Sequence, residues 1–277
     1  MVRLDIDALN QARGRIIPST VGYMAVCQST QDVVRRLALQ GTPEGYVLLT
    51  DFQAAGRGRL DRKWTCPDGK GLLMSILLRP RMPPEMLGLI TFCLGVATAR
   101  ACRLLAGPTV GLKWPNDIIC QGRKLGGILA EIVFQGATPA VAVGLGLNLN
   151  LGPSELPERT IEATSLMLEV GHLIDRTALA ASILEAVDLE YCDLVENGGT
   201  GLLRRWRALS ATLGEPVVVD VAGNPLIGEA VDVDDQGRLI ILQPHGTLTT
   251  VDAGDVRHLR SAIRSDHGRP GTGPGRT

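Results

Sequence analysis

The sequence predicts an α+β protein: a mixed, mostly antiparallel sheet backed by helices, followed by a small β-barrel. Three observations carry that expectation. Four strand-like runs, at 110–114, 117–120, 124–133 and 140–148, follow one another in close succession. The short turns between them suit antiparallel pairing, not repeated βαβ units. Stretches with helical spacing flank them, 86–106 before and 177–196 and 201–213 after. Past Gly214-Glu215-Pro216 the texture changes to four short apolar runs, 217–221, 227–233, 239–242 and 247–251, separated by turn residues. That spacing fits a barrel of roughly fifty residues.

Taken in order, the chain begins with a polar leader, 1–20. Ser29 or Thr30 then offers a helix N-cap, with Asp32 in the first turn. Val33, Val34, Leu37 and Ala38 recur at helical spacing until Gly41 and Pro43 stop the helix. Residues 46–50 and 72–78 read as strands, the second ended by Pro80, Pro83 and Pro84. The long helix at 86–106 closes on Gly107-Pro108, and Gln121-Gly122 supplies a tight hairpin turn. Asp175 is placed to cap the helix at 177–196. The expected units are the leader, a main domain at 21–213, the barrel at 214–261, and a tail at 262–277 too rich in Gly, Pro and Arg to order.

A formal net charge of -1 excludes a global basic field that would draw the chain to DNA or to a membrane surface. Six cysteines form no C-x-x-C pair and only four histidines accompany them, so no zinc site is expected. Free, buried thiols fit a reducing cytoplasm. The most apolar stretch, 86–99, is too short for a bilayer and runs into Arg100 and Arg103. With no signal-peptide pattern at the start, a soluble intracellular protein is expected.

Charge is instead concentrated locally. Gln53-Ala-Ala-Gly-Arg-Gly-Arg-Leu-Asp-Arg-Lys-Trp64 sets Arg57, Arg59, Arg62 and Lys63 around two glycines, directly after an apolar strand. Guanidinium forks suit phosphate or carboxylate oxygens, and Trp64 offers a flat face to a ring or base. A solvated basic turn is the bland reading of the same residues. A second cluster, Lys113-Trp114-Pro115-Asn116-Asp117, is followed by Lys124-Leu125-Gly126-Gly127. Lys113 interrupts an apolar strand, and paired glycines weaken a strand unless something approaches its backbone. Gly144-Leu145-Gly146-Leu147-Asn148 fails as a dinucleotide fingerprint, and Asp68-Gly69-Lys70-Gly71 fails as a P-loop. Phosphate contacts must therefore come from side chains.

Together these four segments resemble biotin protein ligases, in that family's order and spacing, with Ser29-Thr30 before them and Ala163-Thr164-Ser165-Leu166 after. The resemblance covers about residues 20–260. It implies a fold like that of class II aminoacyl-tRNA synthetases and biotin/lipoate ligases, with an SH3-like barrel at the end. It also implies that ATP and biotin form biotinyl-5′-adenylate, and that biotin then passes to a lysine of a carboxylase's biotin carboxyl carrier domain.

By the same resemblance Arg57, Arg59, Lys113, Asp117 and Lys124 are catalytic. Ser29, Thr30, Gln53, Arg57, Lys124, Gly126 and Gly127 bind biotin. Arg59, Arg62, Trp64, Lys113, Asn116 and Asn148 bind ATP and adenylate, Mg²⁺ neutralises the triphosphate, and no residue is assigned as a metal ligand. Asp117 orients or deprotonates the incoming lysine. Asp61 stands where many relatives have glycine, and Gln28 and Gln31 also depart from the family pattern. About twenty residues precede the core, which points to the ligase-only type without operator DNA binding, as monomer or homodimer. A lipoate-type ligase and a nucleic-acid-binding module using the Arg-Gly loop rank behind.

Overall fold

The computed structural model describes residues 3–12, 14–134, 139–156, 163–221, 224–252 and 254–258. In chain order these form α1 (Ile6–Gln11), β1 (Thr20–Cys27), α2 (Thr30–Leu39), β2 (Tyr46–Gln53), β3 (Gly71–Leu78) and α3 (Leu89–Ala106). There follow β4 (Val110–Lys113), β5 (Asp117–Cys120), β6 (Arg123–Val133), β7 (Ala140–Asn148), α4 (Leu166–Val170), α5 (Arg176–Asn197) and α6 (Gly199–Leu209). The chain continues through β8 (Pro216–Val221), β9 (Asn224–Val233), β10 (Leu239–Leu242), β11 (Leu248–Val251) and β12 (Asp255–His258).

Seven strands make the main sheet, in the order β1-β2-β3-β7-β6-β5-β4. Only the β1–β2 pair is parallel, with Thr20 opposite Tyr46, so the sheet is mixed and mostly antiparallel as the sequence predicts. Every residue of β3 is buried. Its run, apolar apart from Gly71 and Ser75, is what a strand needs when helices cover both faces. Here α2 lies over β3 and β7 on one side, and α3 and α5 lie on the other.

The apolar helix α3 is long and hydrophobic enough to cross a membrane by composition, yet 67% of its most apolar window is buried inside the protein. It packs against α5 and α6, where Phe92 stacks on Trp206 with ring centroids 4.7 Å apart. It is a core helix. All six cysteines are free and buried, and burial pushes the Cys66 and Cys102 thiols up to about 12. Such thiols stay protonated and inert.

The stretch read as a polar leader is more than that. Leu4, Leu9 and Ile17 join the main core, and β1 begins at Thr20. Aspartate 188 of α5 holds this segment: its carboxylate accepts backbone N–H groups from Arg15 at 2.7 Å, Ile16 at 2.8 Å and Ile17 at 2.7 Å. The strand β1 escaped prediction because Tyr23, Met24, Ala25 and Val26 are all exposed on this edge, so no alternation marks it.

The second sheet has five antiparallel strands in the order β11-β10-β9-β8-β12. Four of them match the predicted runs; β12 adds itself beside β8. The tail expected to be disordered, 262–277, lies outside the described residues.

Asp188 is 3% exposed and satisfies three backbone donors. Removing it leaves those donors unpaired. Asp188→Ala should therefore lower stability by about 3 kcal/mol, read as a shift in the urea midpoint with little change in slope.

Candidate active site

The face of the sheet that looks toward α2 is cleared of side chains where a ligand would lie. A Cβ at Gly146 would stand 2.4 Å from Trp64 Cε2, so only glycine lets the indole settle on β7. At Gly127 the added Cβ would make ordinary contact with the same ring and with Lys124 Nζ. Gly126 answers to a different demand: its Cβ would sit 2.7 Å from Leu147 Cδ1 and 2.8 Å from the Gly146 carbonyl, both on the neighbouring strand. Trp64 is only 9% exposed, so in this conformation it offers a base much less open ring than the sequence suggested.

The arginine segment folds as a short hairpin. Arg57 bridges to Lys63, Gly58 N–H donates to the Arg62 carbonyl at 2.7 Å, and Trp64 N–H donates to the Gly56 carbonyl at 2.9 Å. Its tip turns through two left-handed residues, Leu60 with φ +53° and Asp61 with φ +55°. That accounts for Asp61. Glycine adopts this conformation freely, and aspartate is among the few other residues that tolerate it. Arg57 is anchored by Glu131 at 2.6 Å and Asp32 at 2.9 Å. Arg59 instead reaches Asn116 Oδ1 at 3.2 Å. Among the described residues, none of its contacts is an ion pair.

Opposite the hairpin lies the β4–β5 turn. Lys113 and Asp117 are paired across its base. Asn116 is pinned to β6 twice: its Nδ2 donates to the Ile128 carbonyl at 2.6 Å and its own carbonyl accepts from Ile128 N–H at 3.0 Å. Asp117 binds the Lys124 ammonium in a short ion pair. Lys113 is 9% exposed and, among the described residues, has no ion-pair partner. Burial lowers its pKa below the usual lysine value; Asp117 opposes that, and Lys124 adds to it. Burial likewise lowers that of Arg59.

A third wall is polar and nearly dry. Ser29 is the N-cap residue of α2 but makes no capping hydrogen bond, and its buried hydroxyl has no partner among the described residues. Thr30 is committed: its N–H donates to Gln53 Oε1 at 2.7 Å and its hydroxyl accepts from Ser75 at 2.8 Å. Gln31 stitches α2 to the sheet, donating to the carbonyls of Ala142 at 2.8 Å and Leu129 at 3.2 Å. Asn148 donates to the Thr164 carbonyl at 3.0 Å, leaving its buried Oδ1 unpartnered.

The geometry therefore brings together the arginine hairpin, the Lys113–Asp117 turn, Lys124 and the glycines. Arg62 sits at the hairpin, its carbonyl taken by Gly58. Sequence reasoning missed Glu131 and Ser75, read Asp32 only as a first-turn residue of the helix, and marked Gln31 only as a departure from the family pattern. An acid in the first turn of α2 and another on β6 are far apart in sequence, and nothing local announces that they meet at Arg57.

The profile of the "Biotin/lipoate A/B protein ligase family" matches residues 23–148, and that of the "Biotin protein ligase C terminal domain" matches residues 212–259. The biotin–[acetyl-CoA-carboxylase] ligase of Mycobacterium tuberculosis is 37% identical over 235 residues, covering 83% of this chain and 85% of that protein. The bifunctional ligase/repressor BirA of Bacillus subtilis is 33% identical over 236 residues, covering 84% and 72%. A biotin protein ligase from Aquifex aeolicus, solved in complex with biotin and ATP, superposes with a TM-score of 0.75 at 27% identity, over 88% of this chain and all of that one.

A buried, unpaired ammonium costs folding energy. Because the folded pKa of Lys113 lies below its unfolded value, the unfolded chain holds the proton longer as pH rises. Stability therefore climbs with pH across that alkaline window. Lys113→Met should raise the thermal midpoint of the ligand-free protein at pH 7, and the gain should shrink as the pH approaches 10. A midpoint below that of the wild type at pH 7 would refute the assignment of Lys113 as a destabilised cation.

Proposed function

Since the chain belongs to the biotin/lipoate A/B protein ligase family and has the activity of a biotin–[acetyl-CoA-carboxylase] ligase, we propose that its residues divide the work as follows. The observation that carries the reading is the pair of largely desolvated cations, Arg59 and Lys113, with Asn116 beside them; Asp117 is the carboxylate that acts on both, and its own ion pair is with Lys124. Such a wall is built for an anion that arrives from outside.

ATP supplies that anion. One oxygen of the biotin carboxylate attacks the α-phosphorus, and the bond to pyrophosphate breaks with its electrons going to the leaving group. Lys113 and Arg59 screen the approach of two anions and follow the charge as it moves outward. Arg62 and Asn148 hold the nucleotide, Asn148 through its free Oδ1, and Trp64 closes over the adenine side. Mg²⁺ would be held by the triphosphate itself and would supply charge neutralisation there, with no residue of this chain assigned as its ligand.

Biotin lies between Ser29 and the β6 glycines. The orphan Ser29 hydroxyl is available to the ureido ring, with Thr30 and Gln53 ordered beside it. Gly126 brings β7 close, and Gly127 leaves room beside Lys124. Lys124, resting on Asp117, transfers its hydrogen bond to the biotin carboxylate, and Asp117 is thereby released to face the amine of the carrier lysine. The amine attacks the acyl carbon, the acyl–phosphate bond breaks with its electrons going to AMP, and Asp117 takes the proton that the amine loses. The carrier is the biotin carboxyl carrier domain of acetyl-CoA carboxylase, and the reaction takes place in the cytoplasm.

The acyl phosphate hydrolyses if water reaches it, so the hairpin serves as its lid, anchored by Arg57 on Asp32 and Glu131. Purified protein with MgATP, biotin and a carrier domain should label one carrier lysine for streptavidin detection; label appearing only with lipoate would refute the reading. Lys124→Ala should abolish the label with the fold intact. Arg59→Ala should slow adenylate formation about 100-fold and let the remaining adenylate escape, seen as stray labelling of other lysines. Loss of activity without stray labelling would remove the lid role.

A further inference from the structure

The turn that carries Lys113, Asn116 and Asp117 is also held from behind, and the hold comes from the C-terminal sheet. Trp114 is 2% exposed and belongs to the main core. Its backbone N–H donates to Thr212 Oγ at 2.9 Å, and its indole Nε1–H donates to the Gly237 carbonyl at 2.9 Å. Both partners lie in or beside the second sheet. Thr212 belongs to the junction into it, a segment that runs beside β4 with Ala211 N–H donating to the Leu112 carbonyl at 2.8 Å. Gly237 lies in the β9–β10 turn.

That turn is stiff. Asp234 Oδ1 accepts the backbone N–H groups of Gln236 at 3.0 Å and Arg238 at 2.9 Å, and its other oxygen binds Arg238 Nε at 2.6 Å. Gly237 has φ +79°, and a Cβ there would lie 3.1 Å from both Leu89 and Phe92 of α3. The turn is thus wedged against the start of α3 with its carbonyl aimed at the indole. A cavity of about 320 Å³ lies beside it, walled by Arg59, Asn116 and Ile128 on one side and by Gln236 and Arg238 on the other.

We infer that Trp114 is a positioning residue, and that the C-terminal sheet, acting through Gly237, sets the position of the phosphate-facing turn. The indole is the rigid link. On one side it is fixed to a wedged carbonyl; on the other its neighbours are Lys113 and Pro115-Asn116. A lost Nε1–H bond leaves the turn held by Thr212, Ile128 and Lys124 without its tie to the wedged carbonyl, so Lys113 and Asn116 lose their alignment on the phosphates while Ser29, Thr30 and Gln53 stay where they are. This rests on the reading of Lys113 and Asn116 as nucleotide contacts.

The test compares Trp114→Phe, which keeps an apolar ring and removes the donor, with Asp234→Ala, which loosens the turn from the far side. Adenylation is followed by ATP–pyrophosphate exchange and biotin affinity by calorimetry. Each variant should raise KM for MgATP or lower kcat about tenfold while biotin affinity stays within twofold. The double variant should lose no more than the worse single, because both break one link. Additive losses, wild-type MgATP parameters in both singles, or biotin affinity falling in step with adenylation would overturn the inference. Should Trp114→Phe fail to fold, Asp234→Ala decides by the same criterion. Lys113→Met is run alongside: if it retains wild-type exchange, the nucleotide reading itself falls, whatever the Trp114 variants do.

Discussion

Lys113 and Arg59 are held largely out of water, and the carboxylate that acts on both, Asp117, makes its ion pair with Lys124 instead. Burial of a charge without a partner opposes folding, so the surrounding structure must supply the energy that keeps them there. It does so through β6. Asn116 is tied to Ile128 by two hydrogen bonds, Asp117 is tied to Lys124, and the central trio β3-β7-β6 behind them is continuous and fully paired. The cations are fixed by the backbone and their neighbours, which leaves their donors for a ligand. Arg57 shows the contrast. Its charge is met by Asp32 and Glu131, and it fastens the hairpin.

The same division explains why the site sits on this face of the sheet. Glycines at 127 and 146 remove the side chains that would otherwise occupy the floor, and Trp64 takes part of the room they leave. Ser29 heads α2 without spending its hydroxyl on a cap, and Asn148 keeps one buried oxygen unused. Buried polar atoms without partners cost about 1–3 kcal/mol each. Two of them facing one cleared floor, beside two unpaired cations, describe a structure whose polar demands are met when a ligand arrives.

Much of this was legible in the sequence because the informative residues are contiguous. The helices α2, α3 and α5, and the strands β4 to β7, declare themselves through periodicity and turn residues within short windows. The motif residues Lys113, Asn116, Asp117 and Lys124 are close in the chain, and two successive hairpins bring them together. What was not legible depends on distant partners. The exposed β1 lacks alternation, the leader's attachment rests on Asp188 more than 170 residues away, and the counter-ions of Arg57 come from α2 and β6. Trp64 looked like an open stacking face because its twelve-residue context says nothing of Gly146, eighty residues on, which receives it.

The hairpin tip carries the last of these constraints. Leu60 and Asp61 both hold positive φ, which costs a non-glycine residue about 1–2 kcal/mol. The conformation persists because Gly58 to Arg62, Arg57 to Lys63 and Gly56 to Trp64 over-determine the loop on either side. A glycine at 61 relieves the strain and widens the range of shapes the tip explores when open. Aspartate narrows that range. In the proposed role of a lid, such a hairpin loses less conformational entropy on closing, and the strain stored at its tip is the counterpart of that ordering. The departure at Asp61 thus belongs with the anchored Arg57: both favour a hairpin whose shape is set before any ligand arrives.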